Sequence, residues 1–471
     1  MDRRAAIPVS LPVDQPTQSY WQLDVDEIAD LRSTESLPSE AGTAIVGSGI
    51  TGAAVAFNLL SNGAQDIVML EARQACSGAT GRNGGHTKAA SYLNFLHNEH
   101  HHGTEMAAKI VQLELANIRA VHSFAKEHGI PCESNPCGTT DVFYDAKQWE
   151  TAQTAVRALQ TAIPGHDAAE YTFHSPEEVR ERFYCGRGGD ENVCGGLSYE
   201  AGSLNSYQFT VGVLKLCLKQ GLNLQTNTPV TSVSRRPGGG YQVDTLRGTI
   251  TARRVVMATN GYTAHLLKRF QGIIVPLRGH VTAQRPGLSM PQGGLPSTYS
   301  FIYDKGYDYL IPRPKDAKFG GDIVIGGRLT SAASEGLNEY GTTDDSTEDG
   351  DTMRDLGNIL PRYFGENWGG DQPEGRIRQQ WTGIMGYGPD GLPFVGEMPG
   401  DKDLWVSAGF QGHGMVLCWM SARALVGMME GRDGEELRRW FPDVFRITEP
   451  RFDLTFKGRM HTQGDPAAPD G

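Results

Sequence analysis

The pattern of apolar and polar residues changes at Thr43, after a segment rich in proline and polar residues, 1–40, that predicts an extended surface arm. Residues 43–46 form an apolar run typical of a buried strand, and the Ala- and Leu-rich segment Ile50 to Asn62 predicts a helix. A second apolar run, Asp66 to Leu70, predicts another strand. Together these segments predict one strand-helix-strand unit.

Helical spacing of apolar residues returns over residues 104–128 and from Ser206 to Gln220, which predicts two further helices. A buried helix is predicted to begin near Met415, after a strand that ends at Ala408. The helices are therefore spread along the whole chain.

Strand-like runs lie near Thr139 to Tyr144 and over residues 276–330, and residues 222–261 have the pattern of a β-meander. The acidic segment Asp344 to Asp351 is interpreted as a solvated loop or a helix start. Helices and strand-rich stretches in one chain favour a mixed α/β fold.

Composition narrows the class of partner. The chain has 471 residues, 39% of them hydrophobic, and a formal net charge of −12. Nucleic-acid binders present clustered Lys and Arg, so this acidic balance disfavours a nucleic-acid partner and favours a small molecule. No apolar run approaches the ~18 residues of a membrane span, so no membrane partner is expected. The oligomeric state stays open.

The cysteines and the first residues indicate a compartment. Seven cysteines are an odd number, and the two early arginines have no apolar stretch behind them, so a cytoplasmic protein with reduced thiols is expected. A cluster of histidines is interpreted as a polar loop or helix start, because nothing supplies the closed ligand geometry of a metal site: His97, His100, His101 and His102. No metal is expected.

The turn after the first predicted strand carries a complete G-x-G-x-x-G. Gly47 permits a tight turn, Gly49 lets the backbone approach a pyrophosphate, and Gly52 allows close packing of helix on strand. The helix N-terminus at Ile50 and Thr51 then faces the phosphate charge. The alternative, a turn that only packs two elements, is disfavoured by the complete strand-helix-strand context.

Glu71 ends the second predicted strand, 22 positions after Gly49. A carboxylate there accepts hydrogen bonds from both ribose hydroxyls of an adenosine and repels a 2′-phosphate. Ala72 and Arg73 follow it and are included among the predicted nucleotide contacts. This fingerprint does not by itself separate FAD from NAD.

The next segment does separate them. Ser77 to His86 (SGATGRNGGH) places glycines among Ser, Thr, Arg and Asn, which suits a backbone that runs beside a flat ring system and donates hydrogen bonds. The predicted ring contacts in this loop are Ala79, Thr80, Arg82, Asn83, Gly84, Gly85 and His86.

The sequence EARQACSGATGRNGGH resembles the flavin loop of the D-amino-acid oxidase-like family, which includes glycine, sarcosine and γ-glutamylputrescine oxidases. Its GATGRNGGH core is most similar to the last of these. The likeness continues through NTPV, MATNG, PLRG, the W-x-G at Trp381 and GFQGHG. The resemblance implies FAD as the cofactor, with further contacts from Val230, Thr259, Asn260 and Gly261.

The same resemblance implies an α/β fold with a Rossmann-type FAD-binding domain and an interleaved antiparallel-sheet substrate domain. Both domains are predicted to be discontinuous, between an N-terminal arm and a C-terminal tail. The predicted division is arm 1–40, FAD-binding domain 41–95, 190–275 and 376–445, substrate domain 96–189 and 276–375, and tail 446–471.

A second glycine-rich turn precedes the helix near Met415. The free N–H groups of that helix are predicted to point at the flavin N1 and C2 carbonyl, where a helix N-terminus stabilises negative charge by roughly 0.3–2 kcal/mol. The alternative is a packing turn, since glycines before a helix are common turn chemistry. The predicted contacts here are Gly409, Gln411, Gly412, His413, Gly414 and Met415.

Five residues are the candidates for catalysis or substrate contact, although no side chain is required because the isoalloxazine takes the hydride. His86 and Arg82 stand beside the expected flavin edge. Tyr309, Arg328 and Trp381 lie on segments that resemble the family's substrate wall. Each has the alternative of a packed aromatic ring or a surface cation.

Three features depart from the family pattern. Met385 stands where glycine and D-amino-acid oxidases carry an arginine for the substrate carboxylate, which disfavours a simple α-amino acid unless Arg278 or Arg328 takes that role. The flavin-linking cysteine of sarcosine oxidase would align near Gly383, where there is none, so non-covalent FAD is predicted. No lysine lies between Arg278 and Asp304, where sarcosine oxidase has its oxygen-activating lysine. Oxidase and dehydrogenase activity therefore both stay open.

The leading hypothesis is oxidation of a C–N bond in a small amine or N-substituted amino acid, by hydride transfer to FAD, with O2 as the expected acceptor. The imine product would hydrolyse. Two alternatives are a flavin tailoring oxidase that acts on a larger biosynthetic intermediate and a non-catalytic flavoprotein that uses the fold for assembly.

Overall fold

The computed structural model describes residues 1–89, 91–186, 192–304 and 306–459. Two sheets organise these residues, and helices pack against both. The helices are α1 (Asp2–Ala5), α2 (Ile50–Ser61), α3 (Ser91–His102), α4 (Thr104–Glu127), α5 (Ala146–Ala162), α6 (Pro176–Arg182), α7 (Ser206–Lys219), α8 (Thr263–Leu266), α9 (Gly350–Phe364), α10 (Gly414–Met429) and α11 (Glu435–Trp440).

The strands alternate with these helices along the chain. They are β1 (Glu40–Val46), β2 (Ile67–Leu70), β3 (His86–Thr87), β4 (Asn135–Phe143), β5 (Thr172–His174), β6 (Gly195–Ser203), β7 (Asn223–Gln225), β8 (Val230–Arg235), β9 (Tyr241–Thr245), β10 (Gly248–Met257), β11 (Val275–Gln284), β12 (Thr298–Tyr303), β13 (Gly306–Pro312), β14 (Ile323–Gly326), β15 (Ile377–Tyr387), β16 (Phe394–Met398) and β17 (Asp401–Ala408).

The first sheet has the order β16-β17-β10-β1-β2-β7, with β8 and β9 attached beside β10. Strands β17, β10, β1, β2 and β7 run parallel. Because parallel strands end at one edge, the residues that follow them meet there: Gly47 after β1, Glu71 after β2, Ala258 after β10 and Gly409 after β17. This edge is where ligands bind in open α/β sheets.

The parallel strands are buried on both faces. In β1 and β2, Ile45 and Met69 pack with the helices α2, α4, α7 and α10, whereas Ala44 and Val68 pack with the β8–β9 side. Fully buried parallel strands require continuous apolar runs, which is why the short runs in the sequence could be recognised. The mixed α/β fold class is confirmed.

The second sheet has the order β15-β11-β14-β13-β12-β4-β6-β3, with β5 paired to β6. Its pairs are antiparallel except for β12 with β4, which are parallel. The expected antiparallel sheet is thus mixed at this one pair, because β4 enters from the N-terminal half of the chain. Strands β11 and β15 pair from Val275 with Tyr387 to Gln284 with Ile377.

Most of the N-terminal arm is exposed or half-buried, as expected, but residues 19–22 are buried. Tyr20 and Trp21 are only 4% and 3% exposed, and Ser19 Oγ donates to the carbonyl of Gly81 at 2.7 Å. The surface expectation was wrong for these residues because burial of two aromatic side chains outweighs the polar and proline-rich composition around them. Ser19 and Trp21 of the arm therefore help to hold the predicted flavin loop in place.

The described part of the C-terminal tail also packs on the body. Arg451 forms an ion pair with Asp390 at 2.8 Å, and Phe456 is 1% exposed. Residues 460–471 of the predicted tail, and the predicted domain boundary at 189/190, lie outside the described residues. The division into two discontinuous domains stays a prediction.

Two further findings concern the whole described chain. Among the helices over its described ranges, none combines the length and apolarity needed to cross a membrane. All seven cysteines are free thiols, five of them buried.

Candidate active site

The turn after β1 has the geometry that a nucleotide site needs. Gly47 has a φ of +107°, and a Cβ there would lie 2.5 Å from the carbonyl oxygen of Ala258. A Cβ at Gly52 would lie 2.0 Å from the carbonyl oxygen of Gly47, so this glycine lets α2 pack onto the turn. The residue before α2, Gly49, makes no side-chain cap bond, and the Ile50 N–H is bonded to Thr80, so the N–H groups of Thr51 and Gly52 are the ones that would meet an anion.

Glu71 is held in place beside this turn. Its Oε2 accepts hydrogen bonds from the Ser48 N–H at 3.0 Å and the Ser48 hydroxyl at 2.7 Å, and its Oε1 accepts from the Arg73 N–H at 3.0 Å. A carboxylate has about four acceptor sites, so it retains capacity for ribose hydroxyls. The fixed negative charge fits an unphosphorylated adenosine ribose.

The loop after β2 is anchored from several sides. Ser206 Oγ donates to the Thr80 carbonyl at 2.7 Å and to Asn83 Oδ1 at 2.9 Å, and Trp21 Nε1 donates to the Asn83 carbonyl. Thr80 Oγ1 also accepts from the Ile50 N–H at 3.1 Å, which ties the loop to the start of α2. The backbone beside the expected ring system is therefore rigid.

Arg82 has a structural environment that the sequence did not reveal. Its Nε donates to the Thr382 carbonyl at 2.6 Å, its Nη2 donates to Thr17 Oγ1 at 2.6 Å, and it lies 3.4 Å from Asp345 Oδ2. Arg73 bonds the same carboxylate in bidentate fashion at 3.0 and 3.1 Å. Burial lowers the pKa of Arg82 to about 10, although Asp345 opposes the shift.

The acidic segment 344–351, interpreted from its sequence as a solvated loop or a helix start, contains the buried Asp345 and is therefore not solvated throughout. Asp345 is 0% exposed and lies between two guanidinium groups. Only Asp349 behaves as a helix start, because its side chain accepts from the Thr352 N–H at the beginning of α9. Charge patterning along the sequence does not show which carboxylate will be buried.

Of the other four catalytic candidates, two line the cleft and two do not. His86 and Tyr309 line the cleft, and a Cβ at Gly84 would lie 2.5 Å from Tyr309 Cε2. Trp381 is fully buried, and its Nε1 donates to the Arg82 carbonyl at 2.7 Å. Arg328 is paired with Asp308 at 3.0 Å. Neither Trp381 nor Arg328 is among the described residues that line the cleft.

The second glycine-rich turn opens onto the same cleft. Gly412 has a φ of +77°, and α10 begins at Gly414 with His413 as an N-cap that makes no side-chain cap bond. Asn260 Oδ1 accepts from the Gly409 N–H at 3.1 Å, which joins this turn to the segment after β10. The N-termini of α2 and α10 thus serve one cleft.

Most predicted cofactor contacts line this cleft. They are Gly47, Gly49, Ile50, Thr51, Glu71, Ala72, Arg73, Ala79, Thr80, Arg82, Asn83, Gly84, His86, Val230, Thr259, Asn260, Gly412, His413, Gly414 and Met415. The remaining ones are not among its lining residues: Gly52, Gly85, Gly261, Gly409 and Gln411. A cleft that is lined by the first residues of α2 and α10 and by the carboxylate of Glu71 fits FAD.

Sequence reasoning missed several cleft residues. Lys88 forms an ion pair with the buried Asp141 at 2.5 Å, and Tyr307, Tyr387 and Arg459 also line the cleft. Lys88 could have been found, because it follows His86 by two positions. Arg459 could not, because only the packing of the tail brings it to the cleft.

Three histidines in the cleft wall are uncharged at neutral pH. Burial lowers the pKa of His280 and His413 to about 4, and that of His86 well below its ordinary value. Glu339, 3.9 Å from His280 Nε2, opposes the shift without reversing it. In the described part of the chain, no group of three or more His, Cys, Asp or Glu side chains is arranged to hold a metal ion.

We expect His280 to make the fold acid-sensitive. An unfolded histidine takes up its proton near pH 6.5, whereas the folded one stays neutral to about pH 4, so stability is lost as pH falls through this window. His280→Gln keeps an acceptor for the Asp349 N–H, now bonded at 2.9 Å, but does not titrate. As pH falls from 6.5 to 4, the thermal midpoint of the native protein should therefore decrease more than that of His280→Gln. A constant difference would contradict the prediction.

Residues 43–428 match the family model of DAO, FAD dependent oxidoreductase. The chain is 26% identical over 397 residues to the probable oxidoreductase OrdL of Rhizobium meliloti (strain 1021), with 84% of each chain covered. It is 23% identical to the mitochondrial dimethylglycine dehydrogenase of Rattus norvegicus, over 82% of this chain and 45% of that protein. The chain therefore spans less than half of that relative.

The fold is similar to that of a solved enzyme. The crystal structure of glycine oxidase from Geobacillus kaustophilus matches with a TM-score of 0.70 at 19% identity, covering 88% of this chain and 99% of the other. At this identity the likeness shows the fold alone.

Proposed function

Because the chain belongs to the DAO family of FAD-dependent oxidoreductases, we propose that it oxidises a C–N bond of a small amine or N-substituted amino acid, with O2 as the electron acceptor. One observation carries the proposal. The first residues of α2 and α10 line the same cleft, neither helix has a side-chain bond from its cap residue, and several tyrosines also line that cleft.

FAD, when bound, accepts a hydride from the carbon that bears the nitrogen. The substrate is left as an imine, which water hydrolyses to a carbonyl compound and ammonia or an amine. Reoxidation of the reduced flavin by O2 would transfer two electrons and two protons to O2 and release hydrogen peroxide. The chain contributes the free N–H groups at Gly414 and Met415, which stabilise negative charge by roughly 0.3–2 kcal/mol.

The residues at the positions expected to bind a substrate carboxylate favour an amine or N-substituted amino acid over a simple α-amino acid. Met385 stands where glycine and D-amino-acid oxidases carry their arginine, and its Sδ would lie 3.4 Å from a Cβ on Gly412. Arg278 and Arg328 do not replace that arginine, because Glu339 and Asp308 already hold them at 2.6 and 3.0 Å. The likeness of the GATGRNGGH segment to γ-glutamylputrescine oxidase also supports an amine.

We further propose that FAD is bound non-covalently. The cysteine that lines the cleft, Cys418, has a thiol whose pKa burial raises to about 12, which disfavours the thiolate needed for a bond to the ring. The seven free thiols favour a reducing compartment such as the cytoplasm.

Anaerobic titration of the FAD-loaded protein tests the reaction. Primary amines, secondary amines and N-methyl amino acids should bleach the flavin absorbance, whereas the matching alcohols should not. Readmission of air should restore the colour with one peroxide per turnover; colour that returns only with an artificial dye would make the protein a dehydrogenase. Bleaching by elaborate substrates alone would favour a tailoring oxidase, and no bleaching by any donor would overturn the proposal.

A pair of glycine variants checks that the reaction occurs in this cleft. A Cβ at Gly412 would lie 2.7 Å from Tyr387 Oη at a φ of +77°, so Gly412→Ala should slow bleaching about tenfold or more. Gly400 has a similar φ of +83° with no atom within 4 Å of a Cβ, and Gly400→Ala should leave the rate unchanged. Equal rates in the two variants would place the reaction elsewhere.

A further inference from the structure

Five lysine or arginine side chains of the described chain line the cleft, and four of them are paired with three buried carboxylates, of which Asp345 is shared by two arginines. The four pairs are Arg73 with Asp345 at 3.0 Å, Arg82 with Asp345 at 3.4 Å, Lys88 with Asp141 at 2.5 Å and Arg278 with Glu339 at 2.6 Å. The fifth is Arg459. Within the described ranges, no carboxylate lies at ion-pair distance from its guanidinium.

Tyrosines surround Arg459 instead. Its guanidinium lies 5.0 Å from the centre of the Tyr307 ring, and its backbone N–H donates to Tyr340 Oη at 3.2 Å. Burial lowers its pKa, but the hydroxyls of Tyr307, Tyr387 and Tyr340 outweigh that effect and the net shift is upward. The guanidinium of Arg459 therefore carries a positive charge at neutral pH.

The position of Arg459 depends on the tail. Phe456, 1% exposed, packs against Tyr340 with ring centres 6.0 Å apart, and Arg451 is tied to Asp390. These contacts bring residue 459 to the cleft from outside the segment 43–428 that matches the family. The fifth cation thus lies beyond the residues that match the family model.

Arg459 lies beside the site of the missing arginine. Tyr387 connects the two positions, because its hydroxyl is 3.9 Å from Met385 Sδ and is also a hydrogen-bond partner of Arg459. His413, the residue that precedes α10, lines the same cleft as Arg459 and Met385. An anion bound beside Met385 would therefore be in the cleft that Arg459 lines.

We propose that Arg459 binds a carboxylate of the substrate, so that the tail supplies the anion-binding group that Met385 cannot. The substrate would then be an amine that carries a carboxylate. A partly buried cation that has no carboxylate partner among the described residues favours the binding of an anion, and the planar fork of arginine matches a carboxylate with two hydrogen bonds. This inference rests on the proposed function in one respect, because it takes the group that is oxidised to be an amine.

Spectral titration with carboxylates that cannot be oxidised tests the binding step alone. Acetate, succinate and benzoate are added to the FAD-loaded protein at constant ionic strength, and the flavin difference spectrum gives Kd. We expect benzoate to bind the native protein and Arg459→Gln to raise its Kd at least about tenfold. Benzamide, which has no charge, should show no such change.

Two further variants make the comparison specific. Lys457→Gln removes an exposed positive charge two residues away and should leave Kd within about twofold of the native value. Arg459→Lys keeps the charge but loses the fork, and should raise Kd by about threefold or more. If Arg459→Gln fails to retain FAD, the Arg459→Lys result decides.

The outcomes separate this proposal from the proposed function. If no carboxylate perturbs the native spectrum, or if both Arg459 variants bind benzoate like the native protein, Arg459 is a structural cation and the inference fails. Bleaching by amines would then still stand. If carboxylates bind through Arg459 but no amine bleaches the flavin, the binding role holds and the reaction assigned to the site is wrong.

Discussion

Gly47→Ala is expected to yield a protein that purifies with less than a tenth of the native FAD content. Alanine is disfavoured at a φ of +107°, and its Cβ would lie 2.5 Å from the Ala258 carbonyl oxygen. Left-handed strain of roughly 1–3 kcal/mol and the clash both push β1 away from β10. The first-turn N–H groups of α2 would then no longer meet the pyrophosphate. FAD released by denaturation, per mole of protein, measures the effect.

Gly63→Ala is the matched control for strain alone. Gly63 ends the turn after α2 with a φ of +86°, and no atom lies within 4 Å of a Cβ there. This variant should lose some stability and retain its FAD. A colourless Gly63→Ala protein, or a fully yellow Gly47→Ala protein, would show that the turn at Gly47 does not hold the nucleotide.

Asp345→Asn is expected to destabilise the fold by about 3–5 kcal/mol, because it leaves the buried guanidiniums of Arg73 and Arg82 without a counter-charge. Asparagine is similar in size, so the loss reports charge rather than packing. Both arginines lie in segments that line the cleft, and FAD binding should weaken with stability. Chemical denaturation of the FAD-free protein gives the free energy of unfolding.

Asp351→Asn is the matched substitution at an exposed pair. Asp351 and Arg354 are joined at 2.7 Å, but their side chains are 60% and 67% exposed, so the change should be less than about 1 kcal/mol. If the two variants were equally stable, the buried carboxylate would not be holding the two arginines in place.

The nucleotide half of the site could be predicted because its determinants are local. The helix expected from Ile50 to Asn62 is α2 at Ile50–Ser61, and the helix expected near Met415 is α10 at Gly414–Met429. A glycine-rich turn between a buried strand and a helix has few alternative conformations. The loop SGATGRNGGH is likewise a continuous segment, and most of its predicted ring contacts line the cleft.

The catalytic candidates were harder to place, because their side chains depend on distant partners. Arg328 is held by Asp308 and Trp381 by the Arg82 carbonyl, so neither lines the cleft. Arg82 lines it while its guanidinium bonds Thr382, Thr17 and Asp345. Residue type and spacing do not indicate which of several cations will meet a carboxylate.

The sequence by itself determined the strand-helix-strand unit, the two glycine-rich turns and the carboxylate at Glu71, because each depends on backbone geometry within a few residues. Only the tertiary structure decided that the N-terminal arm contacts the predicted flavin loop, that Asp345 pairs with two arginines, and that Arg459 reaches the cleft from the tail. These contacts join residues far apart in the chain, and their energies come from burial and charge pairing that exist only after the sheets and helices have packed.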